Sequence, residues 1–207
     1  MAAASAGVES GGRVGESAPP RVVILGDSLT AGYGVDPGQA FPARLQSWIR
    51  EAGFPHEVVN AGVSGDTTAG GLRRLNWILR RPAEVLLIEL GGNDGLRGLA
   101  PDSTRSNLVS IIGAARAKYP GVRVVLAGMQ MPPNMGETYR AAYEGVFPSV
   151  AREQNAVLIP HLLEGVGGRP ELNLPDLIHP TPEGHAVVAS NVWKVLKPVL
   201  EVRDPAR

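Results

Sequence analysis

The stretch Val22-Val23-Ile24-Leu25-Gly26-Asp27-Ser28-Leu29 joins an apolar run to a glycine and then to a serine. Four aliphatic residues in succession, most of them β-branched, are typical of a strand buried on both faces of a parallel sheet. In open α/β sheets, ligands and reactive groups gather outside the carboxyl ends of the strands. The stretch therefore predicts a buried strand that delivers Ser28 to a crevice at the edge of the sheet.

The rest of the chain repeats this pattern of short apolar runs followed by longer amphipathic ones, which is typical of βα units and a parallel sheet. Thr181 as N-cap, with Pro182 in the first helical position, marks the start of the last helix. Five strands are predicted, at residues 21–26, 57–60, 84–90, 122–128 and 156–160. Five helices are predicted, at residues 41–53, 67–80, 103–118, 138–154 and 182–200. The expected fold class is α/β with a five-stranded parallel sheet.

Composition limits the classes of partner. The chain has 207 residues and is 43% hydrophobic, which suits one domain with a continuous core. Its 20 Lys and Arg residues balance 20 Asp and Glu residues, so no net field favours nucleic acid or an anionic membrane surface. The absence of cysteine excludes a disulfide, a thiolate nucleophile and a cysteine-ligated zinc site.

The first twenty residues are rich in Ala, Gly and Ser and show no hydrophobic period. Residues 1–20 are therefore predicted to form a disordered tail before a single domain at residues 21–200. A secretory signal needs an apolar stretch of about 7 to 15 residues and a membrane span roughly 18, and neither pattern occurs. We expect a soluble protein, monomeric by default, located in the cytoplasm or, if a native leader has been removed, in the periplasm or outside the cell.

Polar residues that could perform chemistry follow several of the predicted strands. Ser28 follows the first, Gly62 the second and Asn93 the third, while Asp176 and His179 precede the last helix. Asp176 could accept from Nδ1 of His179 and leave Nε2 for Ser28, the division of labour in a serine triad. Asn93 could donate to an oxyanion, and Gly62 lets a backbone amide approach one closely. Taken singly, a helix cap or a turn explains each residue equally well, so their joint placement carries the prediction.

These segments resemble the sequence blocks of the GDSL, or SGNH, hydrolases. Gly26-Asp27-Ser28-Leu29, Gly62, Gly91-Gly92-Asn93-Asp94 and Asp176-Leu177-Ile178-His179 match in order and spacing. Residues 60–67 and 90–98 resemble, more narrowly, bacterial multifunctional thioesterase I, also called lysophospholipase and arylesterase. The resemblance implies a three-layer, flavodoxin-like α/β/α sandwich.

The same resemblance implies a mechanism and a role for each matched position. Ser28 is the expected nucleophile, His179 its base and Asp176 the residue that orients the base. The amides of Ser28 and Gly62 and the side chain of Asn93 are the expected oxyanion hole. Hydrolysis of a small-molecule carboxylic ester, aryl or acyl, would pass through an acyl-enzyme without a metal or other cofactor, and thioesters and lysophospholipids are further candidate substrates.

Apolar residues that flank the predicted edge are candidates for an acyl-binding groove. They are Leu29, Trp77, Met131, Leu177 and Ile178. Apolar side chains belong to the core more often than to a binding site, so this prediction competes with simple packing.

Two other functions would use the same residues. A metal-dependent phosphoesterase would bind two ions through Asp27, Asp66, Asn93, Asp94 and His179. Its weakness is that the chain has only four histidines. A flavodoxin-like binding module would instead hold a cofactor phosphate in the loop containing Ser28 and Thr30. That function needs aromatic partners for a flavin, and only 5% of the chain is aromatic.

Overall fold

The computed structural model describes residues 18–202, and the predicted tail, except for its last three residues, lies outside this range. The five strands are β1 (Arg21–Gly26), β2 (Glu57–Gly62), β3 (Val85–Glu89), β4 (Arg123–Ala127) and β5 (Val157–Ile159). The α-helices are α1 (Ser28–Ala31), α2 (Phe41–Glu51), α3 (Thr68–Ile78), α4 (Gly92–Leu96), α5 (Pro101–Lys118), α6 (Glu137–Glu144), α7 (Val146–Glu153) and α8 (Pro182–Glu201). Short 3-10 turns occur at Pro37–Gln39 and Pro133–Met135.

All five strands are parallel, in the order β2-β1-β3-β4-β5. Every residue of β1 is buried, as the apolar run at residues 22–25 predicts, and every residue of β3 is buried as well. The register pairs Gly26 with Glu89 and with Gly62, so β1, β2 and β3 end side by side. This alignment brings the segments that follow the three strands to one edge of the sheet.

The helices cover both faces of the sheet. Helices α2 and α8 pack on each other, whereas α3, α5 and α7 pack in succession as a second group. A hydrophobic core that includes β1, β3 and β4 lies between these layers. The predicted three-layer α/β/α sandwich with a five-stranded parallel sheet is therefore confirmed.

Several predicted boundaries change for local reasons. The helix predicted at 138–154 is two helices, α6 and α7, separated by Gly145, a residue whose helix propensity is low. The short helices α1 and α4 were not predicted, because one turn of helix is too short to show a hydrophobic period. The predicted start of α8 is confirmed: Oγ1 of Thr181 accepts from the amide of Gly184 at 3.2 Å, and Pro182 is the first helical residue. Within residues 18–202, no helix has the length and apolar character that crossing a membrane requires.

Candidate active site

Ser28 lies at the junction of β1 and α1. It is the first residue of α1, so its backbone N–H has no acceptor within the helix. Asp27 caps this helix, with its Oδ1 accepting from the amide of Leu29 at 3.0 Å. Helix α1 ends after one turn at Gly32, whose φ of 78° is favourable for glycine. The short, capped helix fixes the Ser28 hydroxyl at the carboxyl edge of the sheet.

A tight turn presents His179 to the same edge. Oδ1 of Asp176 accepts from the amides of Ile178 and His179, each at 2.9 Å. Leu177 between them has a φ of 58°, a left-handed conformation that non-glycine residues rarely adopt. The amide of Leu174 donates to the carbonyl of His179 at 2.7 Å and closes the loop. The Asp176 side chain therefore fixes the backbone of the histidine as well as its ring.

The three side chains form one continuous chain of hydrogen bonds. Nδ1 of His179 lies 2.7 Å from Oδ2 of Asp176, and Nε2 lies 2.9 Å from Oγ of Ser28. Partial burial raises the pKa of Asp176, but hydrogen bonds from the amide and ring of His179 and from the amide of Ile178 outweigh it and lower the pKa to about 2. An ionised Asp176 can only accept, so Nδ1 of His179 carries a hydrogen. In the neutral ring, Nε2 is then the acceptor for the Ser28 hydroxyl.

Tyr33 is a neighbour of His179 that was not predicted to belong to the site. Its ring centroid lies 4.5 Å from that of the imidazole, and half of its surface is exposed. The signal in the sequence is its position between Gly32 and Gly34, both of which have φ near 78°. Two left-handed glycines form a compact turn, and this turn brings Tyr33 back over the site.

The predicted Gly62 amide is already used by another group. It donates to Oδ1 of Asn60 at 2.9 Å, and the Asn60 amide in turn donates to the carbonyl of Thr30 at 2.8 Å. A Cβ on Gly62 would collide with the backbone of Ala31. The prediction of Gly62 as an oxyanion donor is therefore wrong in this structure, because its N–H is already donated to Asn60. The lack of a side chain at Gly62 instead lets α1 pack closely against the end of β2.

Gly65 in the same loop has the free amide that Gly62 lacks. Among the described residues, no acceptor receives a hydrogen bond from the Gly65 N–H. Its carbonyl accepts from the Arg97 guanidinium at 2.9 Å, which ties this loop to the end of α4. Its φ of 78° is typical of glycine. The sequence shows two glycines in the segment 60–66, and only the structure shows that the second of them has the free amide.

Asn93 lies on α4, directly beyond the end of β3. Its Nδ2 donates to Oδ2 of Asp27 at 2.9 Å, which brings the third polar segment into contact with the Ser28 helix. One of its two amide hydrogens is used in this bond. The other donates to no acceptor among the residues that the structure describes.

Two buried carboxyl groups lie beneath Ser28. Asp27 is 2% exposed and Glu89, the last residue of β3, is 0% exposed. Burial raises the pKa of Asp27 to about 6 and raises that of Glu89 well above its usual value. Glu89 was not predicted to belong to the site, although a single charged residue within an apolar strand such as 85–90 is a signal for a buried carboxyl group.

The structure divides the predicted groove residues. Leu177 and Ile178, next to His179, are about half exposed. Leu29 and Met131 belong to the buried core, where Met131 packs on Gly95. The predictions for Leu29 and Met131 as groove walls are corrected on this ground, because a buried side chain presents little surface to a substrate.

Trp77 lies far from the predicted groove. Helix α3 begins beside the site, where Thr68 bonds Asp94, and runs away from it for ten residues, about 15 Å. The indole is exposed and contacts the guanidinium of Arg80. The prediction of Trp77 as a groove residue is therefore wrong.

The side chains that a two-metal site would need are engaged elsewhere. Asp66 pairs with Arg74 at 2.6 Å, and Asp94 accepts from the amide and hydroxyl of Thr68. Within the part of the chain that the structure describes, no cluster of three or more His, Asp or Glu residues is arranged to hold a metal ion. These contacts give no support to the phosphoesterase.

Thr30 is equally unavailable to a cofactor phosphate. Its hydroxyl is completely buried and donates to Oε2 of Glu89 at 2.6 Å. The flavodoxin-like binding module therefore loses one of the two side chains on which it depended.

A parallel α/β/α sandwich with this Ser, His and Asp chain at the carboxyl edge of its sheet is the arrangement of a GDSL-type hydrolase. The model of the GDSL-like lipase/acylhydrolase family matches residues 24–187, and the chain belongs to this family.

Individual relatives agree with this assignment. The chain is 43% identical over 187 residues to esterase TesA of Pseudomonas aeruginosa, covering 89% of this chain and 92% of that protein. It is 36% identical over 186 residues to thioesterase 1/protease 1/lysophospholipase L1 of Escherichia coli K12, covering 89% and 86%. A crystal structure of TesA superimposes with a TM-score of 0.83 at 43% identity, covering 86% of this chain and 99% of that one.

Proposed function

We propose that the chain is a serine esterase that hydrolyses small-molecule carboxylic esters through an acyl-enzyme on Ser28. One observation carries this proposal: the hydrogen bonds of 2.7 and 2.9 Å that run from Asp176 through His179 to the Ser28 hydroxyl. A serine hydroxyl is a weak nucleophile alone, and an adjacent base held by a third group activates it.

In the first half-reaction, Nε2 of His179 takes the Ser28 proton as Oγ attacks the ester carbonyl. Asp176 stabilises the imidazolium that forms, because its carboxylate accepts from the Nδ1 hydrogen. The imidazolium then returns the proton to the leaving alcohol as the carbon–oxygen bond breaks. An acyl-enzyme on Ser28 remains.

In the second half-reaction, His179 takes a proton from water as the water oxygen attacks the acyl carbonyl. The imidazolium then returns this proton to Oγ of Ser28 as the acyl–oxygen bond breaks and the acid leaves. Both tetrahedral intermediates carry an oxyanion that needs donors. The amide of Ser28 and the second amide hydrogen of Asn93 supply two of them. The free amide of Gly65 is the third donor in place of Gly62, whose N–H bonds Asn60.

The surface beside Ser28 supports an acyl substrate. Leu177 and Ile178 expose apolar surface next to His179, and the Tyr33 ring lies 4.5 Å from the imidazole. Apolar contacts of this kind bind an acyl chain by removing its surface from water. Oxygen esters are the proposed primary substrates. Acyl thioesters and lysophospholipids are included, because one of the relatives is named a thioesterase and lysophospholipase.

The test is the steady-state hydrolysis of p-nitrophenyl butyrate by Ser28→Ala. We expect kcat/KM to fall about 10⁴- to 10⁶-fold, since loss of the nucleophile removes the covalent route. Ser110→Ala is the matched control, because Ser110 lies on the outer face of α5 and bonds only the carbonyl of Ser106. Activity of folded Ser28→Ala at the level of Ser110→Ala would refute the proposal.

A further inference from the structure

Glu89 is a fully buried carboxyl group that the proposed reaction does not use. Its Oε2 accepts from three donors: the amide of Asp27 at 3.1 Å, the amide of Thr30 at 3.2 Å and the hydroxyl of Thr30 at 2.6 Å. These bonds join the end of β3 to the first turn of α1. Glu89 therefore contacts the backbone on both sides of Ser28 without contacting the reacting atoms.

The second oxygen of Glu89 has a different environment. Oε1 is buried, and no donor among the described residues faces it. An ionised oxygen in that position would pay a large desolvation cost without compensation. A protonated oxygen donates instead and requires only an acceptor. The Asp27 side chain lies within hydrogen-bonding contact of the Glu89 carboxyl group, and it is the acceptor that we assign to this proton.

Asp27 has the environment of an anion. Its Oδ1 accepts from the amide of Leu29 and its Oδ2 from Nδ2 of Asn93. Two such donors favour the charged carboxylate, whereas Glu89 is completely buried, and burial raises its pKa well above the usual value. The two carboxyl groups thus share one proton, and it resides on Glu89 while Asp27 is ionised.

We propose that Glu89 is a positioning residue, whose protonated carboxyl group holds the Asp27 carboxylate so that Asp27 orients the side-chain amide of Asn93 toward the oxyanion. The proposal rests on the function given above and adds a residue that supports its oxyanion hole from behind Asp27 without belonging to it. It concerns a hydrogen-bond chain from Glu89 through Asp27 to Asn93, which is separate from the chain that activates Ser28.

The orientation of Asn93 gives this chain its catalytic consequence. An amide group has a donor end and an acceptor end, and rotation by about 180° exchanges them. An ionised Asp27 can only accept, so it fixes the nitrogen of Asn93 toward itself and toward Ser28. An asparagine without this partner would also present its oxygen, which repels an oxyanion.

Two isosteric variants locate the proton. Gln at position 89 keeps an oxygen for the three donors and an N–H₂ for Asp27, so Glu89→Gln should retain kcat within about fivefold. Asn at position 27 puts an N–H₂ where Asp27 only accepts, so it no longer fixes the orientation of Asn93. Asp27→Asn should therefore lower kcat about 10- to 100-fold, which is less than the loss expected from removing one oxyanion donor completely. KM for p-nitrophenyl butyrate should change little in either variant. The reverse order, with Glu89→Gln impaired and Asp27→Asn active, would overturn the proposal.

A third variant tests the route through Asn93. Glu89→Leu, which cannot donate to Asp27, should lower kcat about 10- to 100-fold in the native background. In an Asn93→Ala background the same change should cost less than about threefold, because the group through which it acts is gone. An equal loss in both backgrounds would show that Glu89 does not act through Asn93. If Glu89→Leu does not fold, the comparison of kcat between Glu89→Gln and Asp27→Asn tests the proposal alone.

Glu84→Leu is the matched control at the other end of β3. Glu84 bonds His56 and Arg123, far from Ser28, so its loss should lower Tm and leave kcat within about threefold. Ser28→Ala, assayed in parallel, separates the two proposals. An active Ser28→Ala refutes the esterase mechanism itself, whereas an inactive Ser28→Ala with an impaired but folded Glu89→Gln refutes only the role of Glu89.

Discussion

Two histidine–carboxylate pairs lie at opposite ends of the same sheet. At the carboxyl end, Nδ1 of His179 lies 2.7 Å from Asp176; at the amino end, Nε2 of His56 lies 3.1 Å from Glu84. His56 precedes β2 and Glu84 precedes β3, so the second pair lies at the edge of the sheet where the strands begin, opposite the edge that carries Ser28. The two pairs share one contact and differ in what surrounds it.

The second ring nitrogen of each histidine marks the main difference. Nε2 of His179 bonds the Ser28 hydroxyl, whereas Nδ1 of His56 is buried and has no partner among residues 18–202. The His179 side chain is 19% exposed and that of His56 only 5%. Glu84 also binds Arg123, which ties strand β4 to the pair. A histidine–carboxylate pair is therefore a candidate active site when the second ring nitrogen hydrogen-bonds a serine hydroxyl and the ring is partly exposed to solvent.

The largest expected contrast comes from removing each histidine. His179→Ala should lower kcat/KM for p-nitrophenyl butyrate about 10⁴- to 10⁶-fold, because the base for Ser28 is lost. His56→Ala should lower Tm by several degrees and keep kcat/KM within about threefold. Both are measured by steady-state kinetics and calorimetry. A similar loss of activity in the two folded variants would abolish the distinction between the pairs.

The carboxylates should show a smaller contrast. Asp176→Asn should lower kcat about 10²- to 10⁴-fold, because an amide at position 176 no longer fixes the ring hydrogen on Nδ1. Glu84→Gln should again change Tm more than kcat. The two variants are assayed side by side at pH 8. If Asp176→Asn kept native kcat, the assigned role of Asp176 would be incorrect.

A third histidine sharpens the comparison through pH. Burial, followed by the nearby charges of Arg44 and His179, lowers the pKa of His185 from 6.5 to about 4. Between pH 6.5 and 4 the unfolded chain takes up a proton at this residue that the folded protein does not, so stability falls as pH falls.

The variant His185→Asn isolates this contribution, because an asparagine oxygen can replace Nδ1 as acceptor for the amide of Phe41 and does not titrate. We expect its Tm to drop less than the native Tm between pH 7 and pH 4.5. The difference should be roughly 2 to 4 °C for each kcal/mol of unfolding free energy that the native protein loses through His185. Differential scanning calorimetry at the two pH values measures it. Identical drops in Tm would contradict the assignment.

The sequence predicts the scaffold because its signals are local and strong. The run at residues 22–25 strongly favours a buried strand, and Thr181-Pro182 gives a clear start signal for α8. Ser28 is predicted at the site because it follows a strand end at the carboxyl edge of the sheet, whereas Asp176 and His179 are predicted there from the turn that precedes α8. Local signals are too weak for α1 and α4, and a glycine separates α6 from α7 where the amphipathic pattern continues.

The errors concern features that depend on three-dimensional contacts. Nothing in the sequence shows that Asn60 takes the Gly62 amide, or that Gly65 keeps its own free. The direction of α3 could have been predicted from the sequence, because a helix that connects two parallel strands runs back along the sheet. Trp77, near the end of that helix, would then not have been predicted as a groove residue. The proton shared by Asp27 and Glu89 requires the depth of burial that only the structure gives.

The central claim is that Ser28 becomes covalently acylated. The most direct measurement is intact-protein and peptide mass spectrometry after treatment with a p-nitrophenyl alkylphosphonate, in the native protein and in Ser28→Ala and His56→Ala. The account predicts one adduct, on the peptide containing Ser28, in the native protein and His56→Ala, and no adduct in Ser28→Ala. An adduct on another residue, or loss of activity with Ser28 unmodified, would contradict it.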